Sequence, residues 1–326
     1  MREEILNLLG NQQGEYVSGE SISHSLNISR AAVWKQIQGL KEAGYEIEAQ
    51  TKKGYCLVKA PASLDEWALK QELKTGYLGK TLRLFEELPS TNDWCKDLVR
   101  QGEESGTVVI AKRQTVGRGR MQRAWQSPTG GLWMSVLLKP KLNLADAAKL
   151  TLSTGVALAR AIHTLYGLEA GIKWPNDLVY QGKKIAGILG EVVGEWNSVQ
   201  TLILGIGVNA DFEIQDLSPE LPATTLRTIL GHEINLNQLA AEILRQLEHE
   251  VQALEQGDVA GLKERWTTCA VGIGHAVEIE RAGEKFAGVF HGINENGELI
   301  LDYDGREQAF SSGEVRLRYN AGQYSP

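Results

Sequence analysis

Apolar residues in the first sixty positions recur at helical spacing and then give way to alternation. Ile5, Leu8 and Leu9 share one face of a helix that stops at Gly10, and a second short helix fits Gly19–Leu26. Ser29 is a good N-cap for a third over Arg30–Ala43, whose Val33, Ile37 and Leu40 form one buried stripe. The opposite face of that helix presents Ala31, Trp34, Lys35 and Gln38, with Arg30 in its first turn. YEIEAQ and GYCLV follow as two short strands joined through Thr51-Lys52-Lys53, a basic tip. Two helices, a tight turn, a polar third helix and a basic hairpin make a winged helix-turn-helix. The bland alternative is a three-helix packing or dimerisation module whose charges are merely solvated. Pro61, Ala62 and Ser63 mark a linker, so the first domain is expected over residues 1–62.

Residues 63–270 alternate strands with helices. TVVIA (107–111), LWMSVLL (132–138) and TLILGIGVN (201–209) read as strands, and i, i+4 apolar spacing predicts long helices near Asp146–Tyr166 and Asn237–Glu255. From residue 271 to 326 the pattern changes to short β segments, AVEIE, FAGVFHGI, LILDY and QAFSSGEVRLR, split by Gly, Asn and Asp. That pattern fits a small barrel. The expected fold is α+β and multidomain, with a mixed α/β body of catalytic size between the two small modules.

Composition narrows the class. With 326 residues, 42% hydrophobic and 23% charged, the chain is an ordinary globular protein of two or three domains. Apolar runs break at charge or Gly well short of the roughly 20 residues that span a bilayer, so no membrane partner is expected. MREEILNLLG places acids where a signal peptide carries basic residues. Cys56, Cys95 and Cys269 are odd in number and far apart, which fits plain buried thiols in a reducing cytoplasm rather than a disulfide framework or zinc site. The net charge of −7 opposes bulk nucleic-acid affinity, yet residues 1–60 carry seven basic and seven acidic side chains. A neutral module of that kind can still present a basic face. Ser29, Arg30, Ala31, Lys35, Lys52 and Lys53 are the DNA-contact candidates, since small residues permit close approach to a groove while Arg and Lys reach phosphates and bases. The six histidines show no HxxxH or HExxH spacing and receive no role.

Four clusters in the body carry candidate chemistry: Ser90-Thr91-Asn92, Gln114 with GRGRMQRAW (117–125), KWPNDLVYQGKKIAGIL from Lys173, and GIGVN ending at Asn209. In Gly117-Arg118-Gly119-Arg120 the glycines let backbone amides approach a ligand, and the arginines supply planar donors for carboxylate or phosphate. It is neither a dinucleotide fingerprint nor a Walker loop, because Gln122 stands where the last glycine belongs and GxxxxGK[ST] occurs nowhere. Lys184 leads into the apolar run IAGIL, tethered beside a buried strand. Bringing a carboxylate against the α-phosphate of ATP sets two anions together, which requires clustered positive charge and a metal on the phosphates. Arg118, Arg120, Lys184 and an Asp-bound Mg²⁺ are suitable parts. Lys173 reads as structural rather than catalytic, and Cys95 as packing. Ser90 and Thr91 can also serve as an ordinary helix N-cap, and Trp125 as core.

In order, STN, Q-x-x-GRGR-x-x-R-x-W, SP-x-GG-L, KWPND, KK-I-AGIL and GIG-V-N resemble the motifs of the biotin–protein ligases, a likeness extending from about residue 80 to 320. With the winged helix included, the whole chain looks like the bacterial ligases that are also biotin-operon repressors. The resemblance implies a central domain over 63–270 related to class II aminoacyl-tRNA synthetases and an SH3-like barrel over 271–326. It implies that biotin and ATP give biotinyl-5′-AMP, whose acyl group passes to a lysine of the biotin carboxyl carrier protein of acetyl-CoA carboxylase. Ser90, Thr91, Asn92, Gln114, Arg118 and Gly119 are then placed against biotin, with Arg120 and Lys184 facing its carboxylate and the α-phosphate. Arg118, Arg120 and Lys184 are the catalytic assignments. Trp125 would stack on adenine, Asn176 and Asn209 would sit near the nucleotide, and Asp177 would be the acid near Mg²⁺. One departure concerns loop dynamics: some relatives read GRGRRGR where this chain has Met121-Gln122.

The same resemblance implies regulation. Biotinyl-AMP would act as corepressor by ordering loops at Gly117–Gly131 and Asp211–Pro222 and so promoting a homodimer that binds a two-fold operator. Two other readings stay open at this point: a lipoate-type acyl-adenylating ligase, and a biotin sensor without catalysis.

Overall fold

The computed structural model describes residues 1–12, 14–142, 146, 149–193, 201–219, 222–281 and 283–317, and of 316 and 317 the backbone alone. The chain falls into two compact units, residues 1–72 and 73–326. Positions 220 and 221 of the expected ordering loop, 147 and 148 of the helix near Asp146, and Arg318 at the end of the last β segment lie outside the described residues.

In the first unit, Ser18 and Ser29 open the second and third helices by accepting hydrogen bonds from the N–H groups of Ser21 and Ala32. The helices are α1 (Arg2–Gly10), α2 (Gly19–Leu26) and α3 (Arg30–Glu42). Asn27 stops α2 in the left-handed region, at φ 51°. Antiparallel β1 (Glu46–Gln50) and β2 (Gly54–Lys59) form the wing, and Val17 adds a bridge to Tyr55. That bridge requires glycine at 54: a Cβ there would stand 2.0 Å from Val17 O, and φ is +114°. Ile5, Leu9, Ile22, Val33, Ile37, Leu40 and Ile47 make the core. A short helix, α4 (Glu66–Glu72), adds Trp67 and Ala68 to it, so this unit runs ten residues past the end expected at 62. Trp67 donates to Asn7 Oδ1 at 2.7 Å, and Tyr45 to Asp65 Oδ1 at 2.5 Å, which holds the extra segment in place.

The second unit is built on a seven-stranded mixed sheet in the order β3-β4-β5-β9-β8-β7-β6. Its strands are β3 (Leu82–Leu88), β4 (Val108–Gln114), β5 (Leu132–Leu138), β6 (Gly171–Lys173), β7 (Asp177–Tyr180), β8 (Lys183–Val193) and β9 (Thr201–Val208). Only β3 and β4 run parallel; the other neighbours are antiparallel. β5 is buried at all seven positions, which is why LWMSVLL reads as an unbroken apolar run. α5 (Thr91–Arg100) covers one patch with Cys95 and Leu98 against Val109, Ala111, Leu137 and Ile203. The long helices α6 (Lys149–Tyr166) and α8 (Leu236–Glu255) pack on each other, with α9 (Val259–Cys269) beside them; a short helix, α7 (Leu226–Leu230), precedes α8 in the chain. Glu248 of α8 accepts from the N–H groups of Gly76, Tyr77 and Leu78 at 2.5, 2.8 and 2.9 Å, fixing the start of the unit.

The C-terminal part is a five-stranded antiparallel sheet in the order β13-β12-β11-β10-β14. It comprises β10 (Ala276–Arg281), β11 (Glu284–Ile293), β12 (Leu299–Tyr303), β13 (Arg306–Phe310) and β14 (Glu314–Leu317). Among the described residues the edge strands β13 and β14 do not pair, so the barrel expected from the sequence is an open sheet there. No described helix is long and apolar enough to cross a membrane.

Candidate active site and candidate nucleic-acid interface

A cavity of about 440 Å³ opens where β4, β8 and β9 meet the loop after β4, the β6–β7 turn and the first residues of β14. Every sequence-predicted ligand residue of the body lines it: Ser90, Thr91, Asn92, Gln114, Arg118, Gly119, Arg120, Trp125, Asn176, Asp177, Lys184 and Asn209.

One end is a hydrogen-bonding cage built on the N-terminus of α5. Ser90 caps that helix, its hydroxyl accepting from Asp93 N–H at 3.4 Å, and also lines the cavity. Gln114 Oε1 accepts from Thr91 N and Thr91 Oγ1 at 2.8 and 3.1 Å, while its Nε2 donates to Ser127 Oγ at 2.9 Å. The Gln114 amide is therefore fixed in orientation. Ser135 Oγ stands 2.7 Å from Thr91 Oγ1 and 2.6 Å from Asn92 Oδ1. Asn92 Nδ2 donates to Glu191 Oε2 at 2.7 Å, and Lys96 Nζ to Glu191 Oε1 at 2.7 Å. Burial pushes the Glu191 carboxyl up, but hydrogen bonds from Lys96 and Asn92 and the charges of Lys96 and Arg118 outweigh it and hold the group below its ordinary range. Arg118 pairs with Asp93 and lies 3.9 Å from Glu191, while its Nε is buried without a partner among the described residues. A buried orphan donor is costly unless a ligand accepts from it.

The loop Gly117–Trp125 folds back as a small hairpin. Gly119 N–H donates to Arg123 O at 2.8 Å, Trp125 N–H donates to Gly117 O at 2.9 Å, and Arg118 bridges Ala124. At its tip Met121 and Gln122 both take left-handed φ, 55° and 59°. Trp125 rests on a glycine floor: a Cβ at Gly207 would stand 2.8 Å from its indole, and one at Gly187 3.0 Å. This close approach explains Gly187 in AGIL and Gly207 in GIGVN. Lys184 Nζ lies 4.8 Å over the same ring and 2.7 Å from Asp177 Oδ1, too poorly aligned there to make a hydrogen bond. Arg120 donates to Asn176 Oδ1 at 3.2 Å, and Asn176 Nδ2 to Ile188 O at 2.9 Å. Burial lowers the Arg120 pKa, opposed by the charges of Asp177 and Glu314. Asn209 is buried, its Nδ2 donating to Lys184 O at 3.4 Å.

Five basic side chains line the cavity (Arg118, Arg120, Arg123, Lys173 and Lys184) against two acidic ones, Asp177 and Glu314. A net cationic pocket with a polar cage at one end and an aromatic platform suits a neutral hydrogen-bonding head group carrying an anionic tail beside a second anion. Sequence reasoning missed Asp93, Glu191 and Ser135, which orient the cage, and Glu314, which reaches the loop by pairing with Arg123 from the C-terminal sheet. Asp93 directly follows STN, the one local signal that pointed to it. No group of three or more His, Cys, Asp or Glu able to hold a metal occurs among the described residues. Cys95 is fully buried and burial pushes its thiol up to about 12, in keeping with a packing role.

The DNA-contact candidates all belong to the first unit. Ser29, Arg30, Ala31 and Lys35 are exposed at the start of α3, and Lys52 and Lys53 at the wing tip. Ser29 Oγ accepts from Ala32 N–H at 3.2 Å, Arg30 pairs with Glu20 at 2.6 Å, and Lys53 lies 5.6 Å over the Tyr16 ring. Trp34 stands on the same helix face, 58% exposed, where a core tryptophan does not belong.

Family models match three stretches: Biotin/lipoate A/B protein ligase family at residues 84–209, HTH domain at 2–56, and Biotin protein ligase C terminal domain at 272–318. The chain is 35% identical to the bifunctional ligase/repressor BirA of Bacillus subtilis, over 97% of this chain and 98% of that one. It is 31% identical to BirA of Escherichia coli, over 97% and 96%. Among solved structures, biotin protein ligase from Aquifex aeolicus, in complex with biotin and ATP, matches with a TM-score of 0.64 and 29% identity, over 74% of this chain and 100% of that one.

Proposed function

We propose the following for this chain, which belongs to the biotin protein ligase family: it is an ATP-dependent, AMP-forming biotin ligase and a transcriptional repressor. It joins biotin to ATP as biotinyl-5′-AMP, then passes the acyl group to a lysine of biotin carboxyl carrier protein. The observation that carries the reading is the gathering of all twelve motif residues around one cationic cavity. A lipoate-type ligase is disfavoured by full-length relatives that pair ligase with repressor.

The cage of Thr91, Asn92, Gln114 and Ser135 supplies fixed donors and acceptors that suit a ureido ring, and the orphaned Arg118 Nε is a further donor. Lys184 and Arg120 offset the charge of carboxylate and α-phosphate as they approach, so positioning and charge neutralisation carry the first step without an enzyme-bound covalent intermediate. In the second step the carrier lysine's amine attacks the mixed anhydride and AMP leaves. Trp125 is read as the adenine platform, with Asn176 and Asn209 beside the nucleotide. Asp177, whose Oδ1 is buried without a hydrogen bond, fits a Mg²⁺ held mainly by phosphates, since such ions take only one or two carboxylates. That ion would offset triphosphate charge.

The first unit is read as the operator-binding module, acting in an adenylate-promoted homodimer in the cytoplasm. The finer kinships, to class II aminoacyl-tRNA synthetases and to SH3-like barrels, belong to the same proposal; the mixed sheet and the five-stranded C-terminal sheet are compatible with them. The test is incubation with biotin, Mg·ATP and a carrier domain, scored by streptavidin blot. Labelling is expected only with every component present; labelling without ATP, or none with all of them, overturns the enzymatic reading.

A further inference from the structure

Lys173 reads from sequence as structural, yet its surroundings give it another task. Four of the five basic side chains lining the cavity are engaged by the protein. Arg118 meets Asp93 and Glu191, Arg120 meets Asn176, Arg123 meets Glu314, and Lys184 meets Asp177. The Lys173 side chain lines the same cavity with no hydrogen bond, ion pair or ring contact among the described residues. It ends β6 directly opposite Asp177 of β7, and cross-strand partners point to the same face of a sheet. The Asp177 carboxylate is nevertheless turned to Lys184, so Lys173 and Lys184 flank one acid and leave one positive charge over.

We infer that Lys173 is the cation that receives the pyrophosphate leaving group, and binds the β- and γ-phosphates of ATP before it leaves. The inference rests on the adenylation reading above. In that step a carboxylate oxygen of biotin bonds to the α-phosphorus while the bond from that phosphorus to the α–β bridging oxygen breaks. The electron pair departs on pyrophosphate, and no proton need move. Negative charge therefore grows on the leaving group. A cation already held by a protein group must give up or share that contact to meet it, whereas an unengaged ammonium loses only water. Lys173 faces Asp177 across the β6–β7 ladder, and it takes part in none of the hydrogen bonds that build the hydroxyl and amide cage suited to the neutral head group.

Biotin-dependent exchange of radiolabelled pyrophosphate into ATP by the full-length protein tests this. Lys173→Met is expected to raise KM for both pyrophosphate and ATP by about tenfold or more, the size of one charge-assisted contact. Biotin affinity should be unchanged and Lys173→Arg should recover most of the loss. Unchanged KM values for ATP and pyrophosphate, or a parallel loss of biotin affinity, would overturn the assignment. Absence of exchange in the wild-type protein would instead sink the adenylation reading. In the wild type, pyrophosphate should also protect Lys173 from acetylation followed by mass spectrometry, a measurement independent of how the variants fold; equal acetylation with and without pyrophosphate counts against the proposal.

Discussion

At the scale of single residues, the site depends on groups that are small or oriented rather than reactive. Gly205 is the clearest case: a Cβ there would stand 2.4 Å from Asn92 Oδ1, inside the hydrogen-bonded cage. Gly205→Ala should cost roughly 1–3 kcal/mol of stability, as overpacking does, and weaken biotin binding through the displaced Asn92. Chemical denaturation and calorimetric titration measure the two, and a variant equal to wild type in both would contradict this geometry. Glu191 offers a pH signature. Its folded pKa lies below the ordinary value of 4.5, so the carboxylate stabilises the fold fully above that value and stops doing so as pH falls through the depressed one. The melting-temperature gap between wild type and Glu191→Gln should hence be whole at neutral pH and close in acid; a gap constant down to acid pH would remove the Lys96–Glu191–Arg118 group from the account.

At the scale of elements, the loop Gly117–Trp125 combines a closed hairpin with two strained residues. Left-handed φ costs an ordinary residue about 1–2 kcal/mol and glycine almost nothing. Gln122, at φ 59°, stands where relatives reading GRGRRGR have glycine, so Gln122→Gly should favour the hairpin seen here. Trypsin cleavage around Arg118–Arg123 should then slow relative to wild type, and biotin plus ATP should slow it in both. Faster cleavage in the variant would mean that flexibility outweighs strain. The composition of the motif marked this loop as the candidate anion-binding segment, but not that Glu314 meets it from β14 through Arg123. Nothing local in SSGE marks that glutamate, because its partner comes from a different element altogether.

For the whole molecule, two units with separate cores divide the labour. Trp67 and Ala68 belong to the core of the first unit, so a clean deletion removes residues 1–72 rather than 1–62. The shortened protein should lose operator binding, read by mobility shift, and keep carrier labelling with biotin and ATP. Retained operator binding would show that the helix-turn-helix is not the DNA-contacting part.

The sequence by itself determined the first three helices and the wing of the first unit, three strands of the central sheet and the twelve motif residues gathered at the cavity. Those features are written in short-range periodicity, caps and motif composition, which act between neighbours along the chain. Only the tertiary structure decided which charges are already engaged. Asn92 meets Glu191 across 99 positions and Arg123 meets Glu314 across 191, pairings set by strand register and by how the C-terminal sheet packs. Register also put Lys173 opposite Asp177 while the acid turned to Lys184. A lysine's task depends on whether a carboxylate lies within reach, and reach is a property of the folded chain.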